Sequence, residues 1–384
     1  MKILYCIPHL YNSGGMERVL TQKVNWLATH TDYSITIATT ESVPTGEKIV
    51  YFPLDKKVDI MSFSLDFNED FRKPLLTKWW GHMKRMRAYK IALTDYIEQH
   101  KIDLCISLGG KEIAFLHTLP CRTMVEFHFA KDQREQLLNT THSSYFWRLL
   151  GKIRTLQLVR AVKPLSKVIV LTEADKKDWQ KAGCNNVITI SNPCSLDGQE
   201  LPSQAKKENI VLAVGRLHKQ KGFDLLLNAW KPIEELYPDW HLRIVGEGEE
   251  RTHLEKQIKD LKLQKVVLAG NVKNMADEYT KASLFVLSSR YEGLPLVVIE
   301  ALWSGLPCVA FDCPQGTKEL LQNEQGWIVP NGNVEKLSEQ IMYTMTHPDE
   351  ALQRADKAQK YARAAYSEST IMPQWVQIIE EKVS

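Results

Sequence analysis

The sequence has no Cys-x-x-Cys pair, no Asp-x-Asp and no apolar run of about 18 residues, and each absence removes a class of protein. Without the long run, no membrane-spanning helix is expected. The start, Met1-Lys2-Ile3-Leu4-Tyr5-Cys6-Ile7-Pro8, is β-rich and stops at a proline. A secretory leader needs a longer apolar stretch and a small-residue cleavage site, so a cytoplasmic protein is expected. The seven cysteines form no Cys/His cluster at zinc spacing. Cys6, Cys105, Cys184, Cys194 and Cys308 lie within or beside apolar runs and read as reduced core residues. The missing Asp-x-Asp removes one common way of holding a metal–nucleotide complex.

Acid is also missing locally. From Arg72 to Lys90 there are seven Lys or Arg (Arg72, Lys73, Lys78, Lys84, Arg85, Arg87, Lys90) and no Asp or Glu, with Trp79, Trp80 and Tyr89 interleaved. From Gln136 to Thr172 acid is absent again, while Arg148, Lys152, Arg154, Arg160, Lys163 and Lys167 follow Tyr145, Phe146 and Trp147. Such segments read either as solvated helix faces or as surfaces for an anionic membrane or another polyanion. No recognised nucleic-acid module accompanies them, so nucleic acid is not expected as a partner.

What is present is ordinary in bulk: 44% hydrophobic residues, 25% charged residues and a net charge of +3. A chain of 384 residues exceeds one ordinary core, so two domains are expected. Strand-like and helix-like runs alternate throughout, which predicts an α/β protein with parallel sheets. The first series has strands at Lys2–Ile7, Ser34–Thr39, Asp103–Ser107, Arg122–Glu126, Lys167–Leu171 and Val187–Ile190, with a helix over Gly15–His30. Asn192-Pro193 stops it, and polar Leu196–Asn209 reads as a linker. The second series has strands at Ile210–Gly215, His241–Val245, Val266–Ala269, Leu284–Leu287, Pro307–Phe311 and Gly326–Val329. Its helices are Phe223–Leu236, Glu249–Leu261, Pro295–Ser304, Thr317–Leu321 and Val334–Thr346. Ala351–Lys382 reads as helical with a break near Ser367–Pro373.

The chemistry concentrates at strand ends. Glu292 and Glu300 stand eight positions apart, the first in a strand-to-helix loop and the second about a turn and a half into the helix. Gly293 and Pro295 between them start that helix. Gly215-Arg216-Leu217-His218-Lys219-Gln220-Lys221-Gly222 brings a planar fork and a mobile point charge to a strand end. This loop is either a diphosphate clamp or a solvated basic loop. Gly14-Gly15 after the first strand is either an anion-admitting turn or a flexible one. His128 follows a strand end and is either structural or functional. Gly246-Glu247-Gly248-Glu249-Glu250 is not a dinucleotide fingerprint, because Arg251 stands at the third glycine and the segment lies mid-chain.

In order along the chain stand Gly14-Gly15-x-Glu17-Arg18, His128, Asn192-Pro193, Gly215-Arg216…Lys221-Gly222-x-Asp224, Val245-Gly246-x-Gly248, and Glu292-x7-Glu300-Ala301…Gly305-x-Pro307. Together they resemble the retaining family 4 glycosyltransferases, over nearly the whole chain and most strongly from Asn192 to Pro330. The resemblance implies two Rossmann-like domains facing across a cleft, the GT-B architecture. It implies an acceptor-binding domain at 1–195, a nucleotide-sugar-binding domain at 196–365, and a helix at 366–384 returning to the first. It implies a retaining, metal-independent hexosyltransferase with no cofactor, whose co-substrate is a nucleotide sugar. Arg216 and Lys221 would hold the donor diphosphate. Glu292 would contact the sugar, and Glu300 the ribose. His128 would sit near the sugar's reacting side. Backbone N–H groups at Gly14-Gly15 and around Leu294–Leu296 would help, and Asn271 and Val272 would border the base. Asn192, Gly215, Gly246, Gly293 and Pro295 complete the implied donor site. Asp312-Cys313-Pro314-Gln315-Gly316 is similar to a segment of members that build capsule or lipopolysaccharide from UDP-sugars on polyprenyl-diphosphate-linked acceptors. Such an enzyme would work peripherally at the inner face of the plasma membrane, through Arg72–Lys90 and Trp147–Lys163. One departure is Thr172-Glu173, where many relatives have Ser-Glu. Two other readings compete: a UDP-sugar epimerase of the same architecture, and a catalytically silent glycan- or nucleotide-binding protein.

Overall fold

Aliphatic runs buried on both faces become the strands. In β1 (Lys2–Ile7) every residue after Lys2 is buried, as a central parallel strand requires. The computed structural model describes residues 1–67, 75–131, 145–199, 207–313 and 316–381. Arg72, Lys73, residues 200–206 of the expected linker and the Pro314-Gln315 pair lie outside the described residues, as do the side chains of Lys78 and of residues 145–148.

The first unit comprises Met1–Ser191 and Met372–Ser384. It runs β1, α1 (Gly15–His30), β2 (Ser34–Thr39), β3 (Val58–Ser62), α2 (Leu75–His100), β4 (Leu104–Ser107), β5 (Arg122–Glu126), α3 (Tyr145–Val162), β6 (Lys167–Val170), α4 (Glu173–Lys181) and β7 (Val187–Thr189). The seven strands are parallel, in the order β3-β2-β1-β4-β5-β6-β7. β3 was not expected from the sequence: it is an edge strand, largely exposed, and lacks the apolar run that marks a buried one.

The second unit is Asn192–Ile371. It runs β8 (Ile210–Val214), α5 (Phe223–Leu236), β9 (His241–Val245), α6 (Arg251–Asp260), β10 (Val266–Gly270), α7 (Met275–Lys281), β11 (Leu284–Leu287), α8 (Leu296–Trp303), β12 (Cys308–Phe311), α9 (Gly316–Leu321), β13 (Trp327–Val329), α10 (Val334–Thr346) and α11 (Pro348–Ala365). Its six parallel strands take the order β10-β9-β8-β11-β12-β13. The chain changes unit inside α12 (Glu368–Glu380), between Ile371 and Met372 rather than near residue 365. The expected break falls at Tyr366–Ser367, and Pro373 lies within α12.

Within the first unit, α12 is tied down by polar contacts. Arg122 donates from Nη1 to the Ile379 carbonyl at 2.8 Å and from Nη2 to that of Ile378 at 2.7 Å. The Tyr33 hydroxyl donates to Glu380 Oε1 at 2.7 Å, and Lys167 pairs with Glu381 at 2.9 Å.

Both sheets have the Rossmann strand order, and each reverses direction beside the unit's first strand, between β1 and β4 and between β8 and β11. In open α/β sheets, ligands bind outside the carboxyl ends of the strands at this switch point. The loops that matter most therefore follow β1, β4, β8 and β11. Among the described residues no helix is long and apolar enough to cross a membrane.

Candidate functional site

In the second unit the loops after β8 and β11 are knitted together at the switch point. The turn at Lys219–Lys221 is capped by His218, whose Nδ1 accepts from the Gln220 N–H at 3.1 Å. That bond requires an unprotonated Nδ1. Burial and then Arg216 hold the His218 pKa below the ordinary value, which favours this state. Arg290 donates its backbone N–H to the Gln220 carbonyl at 2.8 Å, and Ser288 Oγ donates to the Lys221 carbonyl at 2.9 Å. The Arg290 guanidinium grips Asp224 with two bonds of 2.8 and 2.7 Å.

Gly222 closes the turn at φ +63°, and a Cβ there would stand 2.0 Å from the Ser288 carbonyl oxygen. Gly222→Ala is therefore expected to destabilise the protein by at least about 2 kcal/mol in denaturant unfolding, from left-handed strain plus the clash. Gly198→Ala is the control, since Gly198 has φ +76° but nothing within 4 Å of its added Cβ. It should cost roughly 1 kcal/mol from strain alone. Equal effects at the two positions would refute the close-approach account.

This scaffold presents the charged groups. Lys221 Nζ lies 2.7 Å from Glu292 Oε1, which also accepts from Ser289 Oγ at 2.7 Å. A Cβ at Gly215 would lie 3.1 Å from the Lys221 stem, so glycine there leaves room for the lysine. Arg216 is exposed and makes no side-chain hydrogen bond or ion pair among the described residues. Gly246 packs its backbone against the same loop: a Cβ there would meet the Gly215 carbonyl oxygen at 2.0 Å. Gly316 does likewise beneath Gly293, at 2.1 Å from its carbonyl oxygen. Leu294 and Pro295 are buried at the start of α8, whose first N–H groups have no acceptor within the helix.

Glu300, on α8, is 2% exposed and is not paired with Glu292. Its Oε1 accepts from Ser195 Oγ at 2.5 Å and its Oε2 from the Tyr279 hydroxyl at 2.7 Å. Asn271 is exposed just after β10, with Val272 half-buried beside it, and Asn192 is buried at the first residue of the unit. The second unit thus offers two cations and a helix N-terminus beside two carboxylates that already accept from hydroxyls. That set suits a ligand with an anionic centre and hydroxyl-rich ends.

In the first unit the loop after β1 leads to Gly14 and Gly15 at the start of α1. The chain's own Glu17 carboxylate lies against Gly14, where an added Cβ would stand 2.2 Å from Oε2, and its Oε1 is 3.1 Å from His9 Nδ1. After β4, buried Glu112 accepts from Ser107 Oγ and, at 3.2 Å, from the Tyr89 hydroxyl. Burial raises the Glu112 carboxyl. His128 follows β5, with Nε2 3.2 Å from Glu126 Oε1 but off the line of a hydrogen bond. The other oxygen of Glu126 meets Lys23 Nζ. Burial alone would raise the Glu126 carboxyl, but Lys23 and His128 overcome that and hold it down at about 2.

Comparison with known proteins decides the family. The family model described as Glycosyl transferases group 1 matches residues 200–365. An uncharacterized glycosyltransferase of Haemophilus influenzae is 31% identical over 98% of this chain and 99% of its own length. The chain belongs to the group 1 glycosyltransferases. A second glycosyltransferase is 26% identical over 99% of both chains: the GalNAc-alpha-(1->4)-GalNAc-alpha-(1->3)-diNAcBac-PP-undecaprenol alpha-1,4-N-acetyl-D-galactosaminyltransferase of Campylobacter jejuni. The fold is that of a TarM variant from S. aureus, crystallised with fondaparinux, alpha-GlcNAc-glycerol and UDP. The match has a TM-score of 0.77 at 17% identity, over 99% of this chain and 100% of the other. The two Rossmann-like domains are those of a GT-B glycosyltransferase.

Sequence reasoning about this glycosyltransferase missed Ser289, Arg290, Ser195 and Tyr279, which hold Glu292, the β8 loop and Glu300 in place. Ser289 and Arg290 sat beside Glu292 and could have been suspected. Tyr279 reaches Glu300 from α7, and nothing in linear order announces it. Lys23 and Glu126, 103 residues apart, were equally silent.

Proposed function

We propose that this group 1 glycosyltransferase is a retaining, family 4-like enzyme. It moves a sugar from a UDP-sugar to a lipid-diphosphate-linked glycan during surface glycan assembly. The observation that carries the reading is the Lys221–Glu292–Ser289 cluster beside exposed Arg216 at the switch point of the second unit. In this reading Arg216 and Lys221 meet the diphosphate charge as the glycosidic bond breaks, without a metal or cofactor. Glu292 accepts from the sugar's hydroxyls and Glu300 from the ribose. Asn271 and Val272 border the base. Asn192, Gly246 and the start of α8 shape the donor site of the second unit, and His128 of the first unit keeps the role of serving the reacting sugar. The leaving diphosphate takes the acceptor's proton on the face it departs from, so the two glutamates need no glycosidase roles. UDP bound to the TarM variant and the undecaprenol-linked acceptor of the Campylobacter relative support the choice of substrates.

Thermal stabilisation and donor hydrolysis across a panel of nucleotide sugars test this. A UDP-sugar should raise the melting temperature and be slowly hydrolysed, whereas stabilisation by a GDP- or ADP-sugar alone would overturn the UDP assignment.

The lipid-linked acceptor calls for attachment at an anionic membrane. α2 exposes Trp79, Trp80 and Met83 among Lys84, Arg87 and Lys90, and α3 exposes Leu149, Ile153 and Leu156 among Lys152, Arg154 and Arg160. Apolar and cationic side chains on one helix suit a lipid surface. The protein should co-sediment with phosphatidylserine vesicles at low salt and detach substantially at about 1 M salt, where screening shrinks to about 3 Å. No sedimentation at low salt would remove this part of the reading.

A further inference from the structure

Lys23 is an unusual residue to find where it is. It lies on α1, the helix that also buries Val19, Leu20, Val24 and Leu27, and its own side chain is only 1% exposed. Its ammonium meets Glu126, the last residue of β5, whose side chain is equally buried. The ammonium also stands 3.7 Å from the ring centroid of Trp375 on α12 and 5.5 Å from that of Tyr5 on β1. Ion and rings are thus enclosed together. A buried ion pair is a poor way to gain stability, since apolar residues of the same volume commonly do as well. Glu126 Oε1, the oxygen not held by Lys23, lies 3.2 Å from His128 Nε2, off the line of a hydrogen bond but within reach of the carboxylate's charge.

We infer that Lys23 and Glu126 are positioning residues for His128, the lysine fixing the carboxylate and the carboxylate fixing the orientation and tautomer of the imidazole. A carboxylate facing Nε2 favours the proton on that nitrogen and leaves the lone pair on Nδ1. Lys23, held by Trp375 and Tyr5, keeps the carboxylate from rotating away. This inference rests on the role given to His128 in the proposed transfer reaction, but the geometry it describes stands within the first unit alone.

Glu126→Gln should lower kcat for transfer by roughly 10–100-fold while KM for the nucleotide sugar changes little. Because either single substitution strands a buried charge, Lys23→Met/Glu126→Gln is the informative variant. It should fold and melt near the wild type yet keep the loss in kcat. In a double-mutant cycle, Glu126→Gln should cost nothing further once His128 is alanine. Nitrogen NMR of the imidazoles at alkaline pH reads the tautomer without activity. His128 should be the Nε2–H form in the wild type and lose that preference in the paired variant. A paired variant with wild-type kcat, full additivity with His128→Ala, or an unchanged tautomer would each overturn the inference. If the NMR result holds and no nucleotide sugar is turned over, the transfer reading fails while the positioning role survives.

Discussion

Lys221→Ala should lower kcat for sugar transfer by about 10²–10³-fold, the cost typical of removing one preorganised group that meets charge in the transition state. Lys221 emerges from a turn locked by His218, Gly222 and the Ser288 hydroxyl, so its ammonium is delivered to a fixed place. Without ligand that place is beside Glu292, at 2.7 Å. A donor diphosphate would compete for the same ammonium and, with Arg216, would carry its growing charge as the sugar departs. Alanine removes the charge and also leaves the Glu292 carboxylate, only 8% exposed, without its cation. Ser289 remains as a donor to that carboxylate, so the fold should survive with a modest drop in melting temperature. Steady-state kinetics with a UDP-sugar and a melting curve on the same sample decide the matter. A folded variant with wild-type kcat would remove Lys221 from the chemistry.

Glu300→Ala should raise the KM for the nucleotide sugar by about 10²-fold or more while touching kcat less. An ionised carboxylate has about four acceptor positions, and Ser195 and Tyr279 each take one. Each hydrogen bond to a charged group is worth about 1.5–3 kcal/mol, and a ribose presents two hydroxyls. Truncation also leaves the buried Tyr279 hydroxyl without that acceptor. Glu300→Gln keeps one oxygen and should fall between the wild type and alanine. The two residues are separated by which constant moves, kcat for Lys221 and KM for Glu300. A Glu300→Ala enzyme with unchanged KM would mean that the ribose lies elsewhere.

Much of this architecture is legible in sequence because buried parallel strands leave continuous apolar runs. β1, β9 and β11 stand where such runs stand. β3 is invisible because an edge strand need not be apolar on both faces. Loop glycines were legible as positions without side chains, but not as what they admit. Gly222 lets the backbone pass a carbonyl, while Gly215 leaves room for a lysine stem. Glu292 and Glu300 were legible as two carboxylates near one loop. Their different duties depend on Lys221 and Ser289 on one side, and on Ser195 and Tyr279 on the other. Those partners come from separate elements, and a linear pattern carries no mark of them.

The return of residues 372–381 to the first unit has a consequence for biosynthesis. The ribosome completes β1 to β7 long before it makes Trp375, Ile378, Ile379, Glu380 and Glu381. Until those residues emerge, Lys23 lacks its indole, Arg122 its carbonyl acceptors, and Tyr33 and Lys167 their carboxylates. The first unit therefore begins as an N-terminal intermediate and is finished only after the second has been synthesised, so vectorial synthesis cannot release it as an independently matured domain.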